Sequence, residues 1–193
     1  MDPIARFVEL LERAGRTPAI AEPTGMTLST VGADGRPSSR IVLLKGIDAD
    51  GLVFYTNARS RKGRDIAARP DVSVTFWWPQ LESQVRFEGP ARPVSAAEAD
   101  AYFATRPRVS QLGAWASDQS APLRTREELE NRYQELERKY EGKEVPRPPH
   151  WSGYRVTPLA VEFWWNRPGR LHERELYTRA SAGAPWSMTL LNP

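Results

Sequence analysis

The stretch MTLSTVGADGRPSSRIVLLKGIDADGLVFYT, Met26 to Thr56, decides the fold class. It holds three strand-forming runs separated by two glycine-ended turns. Met26–Val31 is the first run, and Gly32-Ala33-Asp34-Gly35 turns the chain. Ser38–Lys45 is the second, Asp48-Ala49-Asp50-Gly51 turns it again, and Leu52–Thr56 is the third. Turns of this kind between β-branched and aromatic runs are hairpin signals, and the whole reads as a β-meander. The second run is Arg40-Ile41-Val42-Leu43-Leu44-Lys45, apolar with a cation at each end. It suits a buried strand whose ends reach a polar site. Strict alternation puts Arg40 and Lys45 on opposite faces, so one pocket takes both only through a bulge or from different ends of the strand.

Upstream, Asp2-Pro3 starts a helix over residues 3–14, with Ile4, Phe7, Val8 and Leu11 at helical spacing and Gly15 as its stop. It is expected to pack outside the barrel body. Downstream, Tyr55-Thr56-Asn57-Ala58-Arg59 leads to Ser60, which caps a helix running to about Ala68 before Pro70. Hydroxyls, free amides and the Arg61-Lys62 pair at a helix N-terminus form an anion site; a basic exposed turn explains the same residues equally well. Val72–Trp78 and Gln84–Gly89 are two more strands, the second alternating Gln84, Arg86 and Glu88 with Val85 and Phe87. Ser95 to Glu98 is a capping box that opens a helix through Tyr102 and Phe103, disrupted by Pro107. Tyr102 and Arg106 share a face, and Ser110 follows one turn later if the helix resumes. Phenol, guanidinium and hydroxyl together could grip a phosphate; an ordinary amphipathic helix accounts for the tyrosine too.

Ser110 to Ser120 is polar and rich in small residues around Trp115. Thr125 caps a charged helix to about Tyr140, with Leu129, Tyr133, Leu136 and Tyr140 as its buried stripe. After the rigid connector Pro146–Pro149, strands are expected near Gly153–Val156, Ala160–Trp165, Arg170–Arg179 and Trp186–Leu191. Seven or eight mostly consecutive strands with three or four helices predict a mainly β fold with flanking helices (α+β), an antiparallel barrel or sandwich rather than an alternating α/β fold. No glycine-rich dinucleotide fingerprint and no P-loop are present.

The bulk composition narrows the function classes. The 193 residues fit one domain. A net charge of +3, from 27 basic and 24 acidic residues, is too balanced for nucleic-acid binding through overall charge. There is no cysteine, which excludes disulfides, thiolate metal sites and cysteine nucleophiles. Two distant histidines, His150 and His172, argue against a histidine-rich metal site. The first residues lack a signal-peptide pattern, no apolar run approaches a membrane span, and a cytoplasmic protein is the default.

The last informative stretch is Glu162 to Arg174. If Arg170-Leu171-His172-Glu173-Arg174 is a strand, Arg170, His172 and Arg174 line one face. Two cations and an imidazole suit an anionic ligand held beside a proton-handling group; a solvated edge strand is the plainer reading.

These stretches together resemble the pyridoxine/pyridoxamine 5′-phosphate oxidase family. The residues that carry the resemblance are Arg40–Lys45, Phe54-Tyr-Thr-Asn57, Ser60-Arg-Lys62, Ser110-Gln-Leu-Gly-Ala-Trp115, Gln119-Ser120, Glu162-Phe-Trp164 and Arg170-Leu-His-Glu-Arg174, in order over nearly the whole chain. The resemblance implies an FMN-binding antiparallel split β-barrel acting as a homodimer, with FMN at the subunit interface and the C-terminal strands, 152–191, completing the flavin site. It implies FMN contacts from Arg40, Ile41, Val42, Leu43, Leu44, Lys45, Tyr55, Thr56, Arg61 and Lys62. Gln84, Gln119, Ser120, Trp164 and Arg174 complete that set. Lys45, Tyr102, Arg106 and Ser110 would hold the substrate phosphate, and Arg170 and His172 would sit over the pyridine ring as the catalytic pair. The implied reaction oxidises pyridoxine or pyridoxamine 5′-phosphate to pyridoxal 5′-phosphate. Hydride passes from C4′ to flavin N5, and O2 is reduced to H2O2.

Three positions depart from the family pattern. Relatives often carry an N-terminal extension over the active site, ahead of where this sequence starts. Leu190 stands at a usual arginine, and Trp165 at a usual small or polar residue, where it is expected to alter the edge of the flavin site. Three other readings compete: an FMN oxidase of this fold acting on a dihydrophenazine carboxylate, a non-catalytic protein that stores flavin or pyridoxal phosphate, and a structural β-barrel domain with surface charge. The first leaves the Lys45, Tyr102, Arg106 and Ser110 set without a purpose.

Overall fold

The computed structural model describes residues 2–193. The expected meander is present as β1 (Gly25–Val31), β2 (Pro37–Leu43), β3 (Gly46–Asp48) and β4 (Gly51–Asn57). After β4 come α2 (Arg61–Ala68), β5 (Asp71–Trp78) and β6 (Ser83–Pro93), the last two joined by a 3-10 turn at Pro79–Leu81. Three helices follow, α3 (Ala96–Thr105), α4 (Arg108–Ala116) and α5 (Arg126–Lys139). The chain ends in β7 (Trp151–Val156), β8 (Ala160–Trp165), β9 (Glu173–Thr178) and β10 (Ser187–Leu190). Helix α1 (Pro3–Gly15) precedes them all, capped by the Asp2 carboxylate accepting from the Ile4 amide at 3.0 Å.

Every strand pairing is antiparallel, and β6 is where the sheet divides. Its first residues pair with β5 on one side and β8 on the other. Its last residues, Ala91–Pro93, pair with β7, which leads to β4 and β3. Gly89 sits at the division because a Cβ there would lie 2.1 Å from the Thr157 carbonyl oxygen. One arm therefore runs β10-β9-β8-β6-β5-β1-β2 and the other β6-β7-β4-β3. The arms curl around one core in which Met26, Leu28, Phe54, Phe76, Phe87 and Phe163 are fully buried. This is the antiparallel split barrel. Phe7 of α1 plugs the core, its ring centroid 4.8 Å from those of Phe76 and Phe87. A second, smaller core of Phe103, Leu112, Val145 and Trp151 joins α3, α4 and α5 to the barrel. The α5 stripe of Leu129, Tyr133, Leu136 and Tyr140 is only half-buried. No helix among the described residues is long and apolar enough to cross a membrane.

The structure corrects several expectations. There are ten strands and five helices among the described residues, not seven or eight and three or four. The three-residue β3 is too short to carry a period. The helix does resume after Pro107, as α4, with Leu112 buried in the second core and Ala114 and Trp115 packed against it. Strand β2 stops at Leu43 because the Leu44 amide turns to Thr24 O (2.9 Å) and the Lys45 amide to Val53 O (2.8 Å). The strand expected over Arg170–Arg179 begins only at Glu173. Gly169 (φ 69°) and Arg170 (φ 60°) take left-handed conformations in a 3-10 turn, which no extended strand accommodates. Arg170, His172 and Arg174 therefore do not line one strand face.

Helix α1 is fastened to β9 by charge. Arg6 pairs with Glu175 and donates to the Tyr177 hydroxyl at 3.1 Å, its guanidinium 4.7 Å from the Trp165 ring centroid. Trp165 thus packs under α1, stacked on Phe163 with centroids 5.7 Å apart. The hydrogen bond from Arg6 holds the Glu175 carboxyl below its usual range, against the opposing effect of burial. A depressed folded value adds stability that is present above the unfolded value, about 4.3, and is lost as pH falls through the folded one. Glu175→Gln is therefore expected to melt below the wild type at pH 7, with the gap closing as pH falls towards 3. Thermal melts across that range check it, and a gap independent of pH would contradict it.

Candidate active site

A cleft of roughly 320 Å³ opens where the end of β2 meets β4, α2 and α3. One wall is cationic. Ser60, fully buried, caps α2 by accepting from the Gly63 amide (3.4 Å) and so sets the helix's first turn against the end of β4. Gly63 allows this approach, since a Cβ there would meet Ala58 O at 2.2 Å. Lys62, the second residue of the helix, then reaches back over the strand end. Its Nζ donates to Thr56 Oγ1 (3.2 Å), Ser60 Oγ (3.4 Å) and Gln119 Oε1 (2.8 Å), and the Thr56 hydroxyl also donates to Gln119 (3.1 Å). From β2, Arg40 donates to Leu28 O (3.2 Å), Thr30 Oγ1 (2.7 Å) and Ser38 Oγ (2.9 Å), with Asp65 at 3.7 Å. Burial lowers the pKa of both cations, and the Arg40 charge depresses Lys62 further. A bound anion would relieve both effects.

The facing wall is aromatic. Tyr55 of β4 stacks on Tyr102 of α3 at 3.9 Å and on Trp151 of β7 at 5.3 Å, nearly parallel to each. Gly153 makes room for the Tyr55 ring, which lies 2.7 Å from where a glycine Cβ would be. Arg106, at the C-terminus of α3, lays its guanidinium 4.9 Å from the Trp151 ring centroid. Burial lowers its pKa, partly offset by Tyr102. Its Nη1 is buried, and no group among the described residues accepts from it. A buried guanidinium nitrogen without an acceptor is costly, and the Arg106 side chain lines the cleft.

The cleft brings together Arg40, Ile41, Val42, Leu43, Lys45, Tyr55, Thr56, Lys62, Tyr102, Arg106 and Gln119. An adjoining hollow adds Ser110. Arg40 and Lys45 share the cleft although they are five residues apart, because β2 ends between them. Leu44 is different: its side chain is buried in the barrel core. Arg61 is exposed on α2, close enough for its charge to act on Arg40, and Ser120 is exposed with φ 72°. The sequence reading missed Trp151, a wall of both hollows, and Gly113, Ala114 and Ser117 of the adjoining one. Trp151 stands two residues past the proline connector, and its place under Arg106 depends on a contact between residues far apart in sequence.

The remaining candidates lie on the outer face of the other arm. Trp77, Gln84, Trp164 and Arg174 are cross-strand partners in one row over β5, β6, β8 and β9. Trp77 is 51% exposed on this face. His172 packs on Trp164 with ring centroids 4.6 Å apart, and its Nδ1 accepts from the Arg167 amide at 3.3 Å. Arg170 is exposed in the preceding turn, which an Arg167–Glu173 ion pair (2.6 Å) braces. None of Gln84, Trp164, Arg170, His172 and Arg174 lines the Arg40 cleft of the same chain.

Residues 17–140 match the family described as pyridoxamine 5′-phosphate oxidase, and residues 151–193 match the pyridoxine 5′-phosphate oxidase C-terminal dimerisation region. A pyridoxine/pyridoxamine 5′-phosphate oxidase of Myxococcus xanthus is 56% identical over 192 residues, covering 100% of this chain and 92% of that protein. One of Caulobacter vibrioides is 54% identical over 192 residues, covering 100% and 85%. Among solved structures, PhzG from Burkholderia lata 383 in complex with tetrahydrophenazine-1-carboxylic acid superposes with a TM-score of 0.92. Its identity is 34%, with 100% of this chain and 93% of that one covered. A pyridoxamine 5′-phosphate oxidase-related, FMN binding protein of Nostoc punctiforme shares the fold at a TM-score of 0.77 and 20% identity, with 100% and 98% covered.

Proposed function

The chain belongs to the pyridoxamine 5′-phosphate oxidase family of oxidoreductases, and on that premise we propose that it oxidises pyridoxine or pyridoxamine 5′-phosphate to pyridoxal 5′-phosphate with FMN as cofactor and O2 as acceptor, in the cytoplasm. The observation that carries this reading is that Arg106, on the aromatic wall, lines a cleft that separately holds the Arg40–Lys62 pair. Two anion-holding groups in one cleft suit two phosphates, one on the cofactor and one on the substrate.

The residues present fit FMN. Arg40 and Lys62 would hold its phosphate, with Thr56 and Gln119 beside them, and Arg61 would add charge from the rim. Ile41 to Leu43 of β2, with Leu44 and Lys45 just past its end, would run alongside it, Leu44 through its backbone. FMN, when bound, supplies the hydride acceptor and the route of electrons to O2. The chain's own work is then placement. Arg106, Lys45, Tyr102 and Ser110 would fix the substrate phosphate, the Tyr102–Tyr55–Trp151 stack keeping the Arg106 guanidinium turned into the cleft. Anchoring the phosphate away from the reacting carbon contributes binding energy that holds the substrate in the cleft, and it is read chiefly in KM.

Gln84, Trp164, Arg170, His172, Arg174 and Ser120 enter through a homodimer with FMN at the interface. The outer row from Trp77 to Arg174, together with the matched dimerisation region, supports the view that one protomer presents these side chains to its partner's cleft. There Arg170 and His172 would sit over the pyridine ring. With Nδ1 held by the Arg167 amide, neutral His172 carries its hydrogen on Nε2 and can donate it to a substrate oxygen.

A second reading has its own support, since the PhzG structure holds a tricyclic carboxylate without a phosphate. A substrate panel separates the two. The expected result is turnover of pyridoxine and pyridoxamine 5′-phosphates, with unphosphorylated pyridoxine far slower. Turnover of a dihydrophenazine carboxylate, with none of either phosphate, would replace the proposal by the second reading.

A further inference from the structure

Glu162 is a buried carboxylate that is not part of the core. It belongs to the row Thr75, Arg86, Glu162 and Leu176 across β5, β6, β8 and β9. Strand alternation puts that row on the same outer face as Trp77, Gln84, Trp164 and Arg174. Glu162 is nevertheless only 4% exposed, because two arginines close over it. Oε1 accepts from Arg174 Nε (2.8 Å), with Arg174 Nη2 also at 2.8 Å, and Oε2 accepts from Arg86 Nη2 (2.9 Å). Arg86 has a further acidic neighbour in Glu88 at 3.2 Å, whereas Glu162 is the one carboxylate within ion-pair distance of Arg174 among the described residues. The remaining hydrogen bond of the Arg174 guanidinium among the described residues runs from Nη1 to Asn192 O at 3.0 Å.

We propose that Glu162 is a positioning residue for the flavin site: it fixes the Arg174 guanidinium in the orientation that Arg174 presents to FMN across the subunit interface. This rests on the reading of Arg174 as a flavin-binding residue. A long arginine on an outer sheet face otherwise samples many rotamers, and ordering it at the moment of binding costs affinity. A shielded carboxylate on Nε and Nη2 removes that freedom beforehand. The charge matters as much as the shape, since a neutral amide leaves Arg174 with no anionic partner.

The test is a double-mutant cycle in FMN affinity, read by quenching of flavin fluorescence as apoprotein dimer is titrated. Arg174→Ala is expected to weaken FMN at least about 10-fold, the loss of one charge-assisted contact. Glu162→Gln is expected to weaken it by a similar factor, and the double variant by no more than Arg174→Ala alone. An additive double variant, or a Glu162→Gln protein that binds FMN like the wild type, overturns the proposal while leaving Arg174 in the flavin site. Unchanged affinity in Arg174→Ala overturns the Arg174 assignment and the positioning role with it. If Glu162→Gln does not fold, Arg174→Lys decides. Lysine keeps the charge but not the fixed planar geometry, so FMN should bind as weakly as in Arg174→Ala. Wild-type affinity in the lysine variant overturns the proposal.

Discussion

Arg106→Ala is expected to raise the KM for pyridoxine 5′-phosphate by roughly 10- to 100-fold, with kcat and FMN affinity little changed. A charge-assisted hydrogen bond shielded from water contributes about 1.5–3 kcal/mol, which sets that range. The selectivity follows from where the residue sits. Arg106 is carried by α3 on the aromatic wall, while Arg40 and Lys62 come from β2 and α2. Its Nη1 has no acceptor among the described residues, so its burial is a cost. That gives the prediction a second arm: Arg106→Ala without substrate should melt no lower than the wild type. Arg106→Lys should recover part of the KM, since a lysine supplies charge without the two-point geometry. An unchanged KM in the alanine variant would remove Arg106 from the phosphate site. A lost flavin would move it to the cofactor instead.

Arg170→Gly is expected to lower turnover about 100-fold or more, the scale on which misplacing a substrate costs rate, while FMN stays bound. The same change should leave the melting temperature unchanged or higher. Arg170 holds φ 60°, a conformation glycine adopts freely and other residues adopt at a cost of about 1 kcal/mol or more. The strain has a local cause. Pro168 and Gly169 start a tight turn, the Leu171 amide closes it on Pro168 O at 3.3 Å, and Arg167 pairs with Glu173 across its base. The turn throws Arg170 outward, leaves Leu171 73% exposed and seats His172 on Trp164. His172→Ala should also slow turnover with flavin retained. Loss of flavin in either variant, with normal turnover after reconstitution, would contradict these roles. A lower melting temperature in Arg170→Gly would mean that the guanidinium stabilises the turn.

How much of this is legible in the sequence depends on the range of the interaction. Strand β8, Ala160–Trp165, and the ends of α2 are readable because period, caps and proline are local signals. The cationic residues of the cleft are readable one by one, but their convergence is not. Arg40 and Lys45 looked opposed because alternation was carried past Leu43, where the chain leaves the ladder to pair with Thr24 and Val53. The strand drawn through Arg170 failed for a related reason. The pattern Arg-Leu-His-Glu-Arg alternates well, and the left-handed pair at Gly169 and Arg170 overrides it. Trp151 went unassigned because its meaning comes from Arg106 and Tyr55, which lie on other elements. The division of the candidate residues between two faces has no local signal at all. It follows from the fork in β6, where a strand that reads as ending at Gly89 continues to Pro93 in the other arm.

The most direct measurement is an anaerobic mixture of the FMN-reconstituted protein with pyridoxine 5′-phosphate, followed by the flavin absorbance. The expected result is bleaching of the oxidised flavin band, its return on admitting air, and one equivalent of pyridoxal 5′-phosphate per flavin reduced. Flavin that binds but stays oxidised with both the pyridoxine and pyridoxamine phosphates would contradict the proposed reaction.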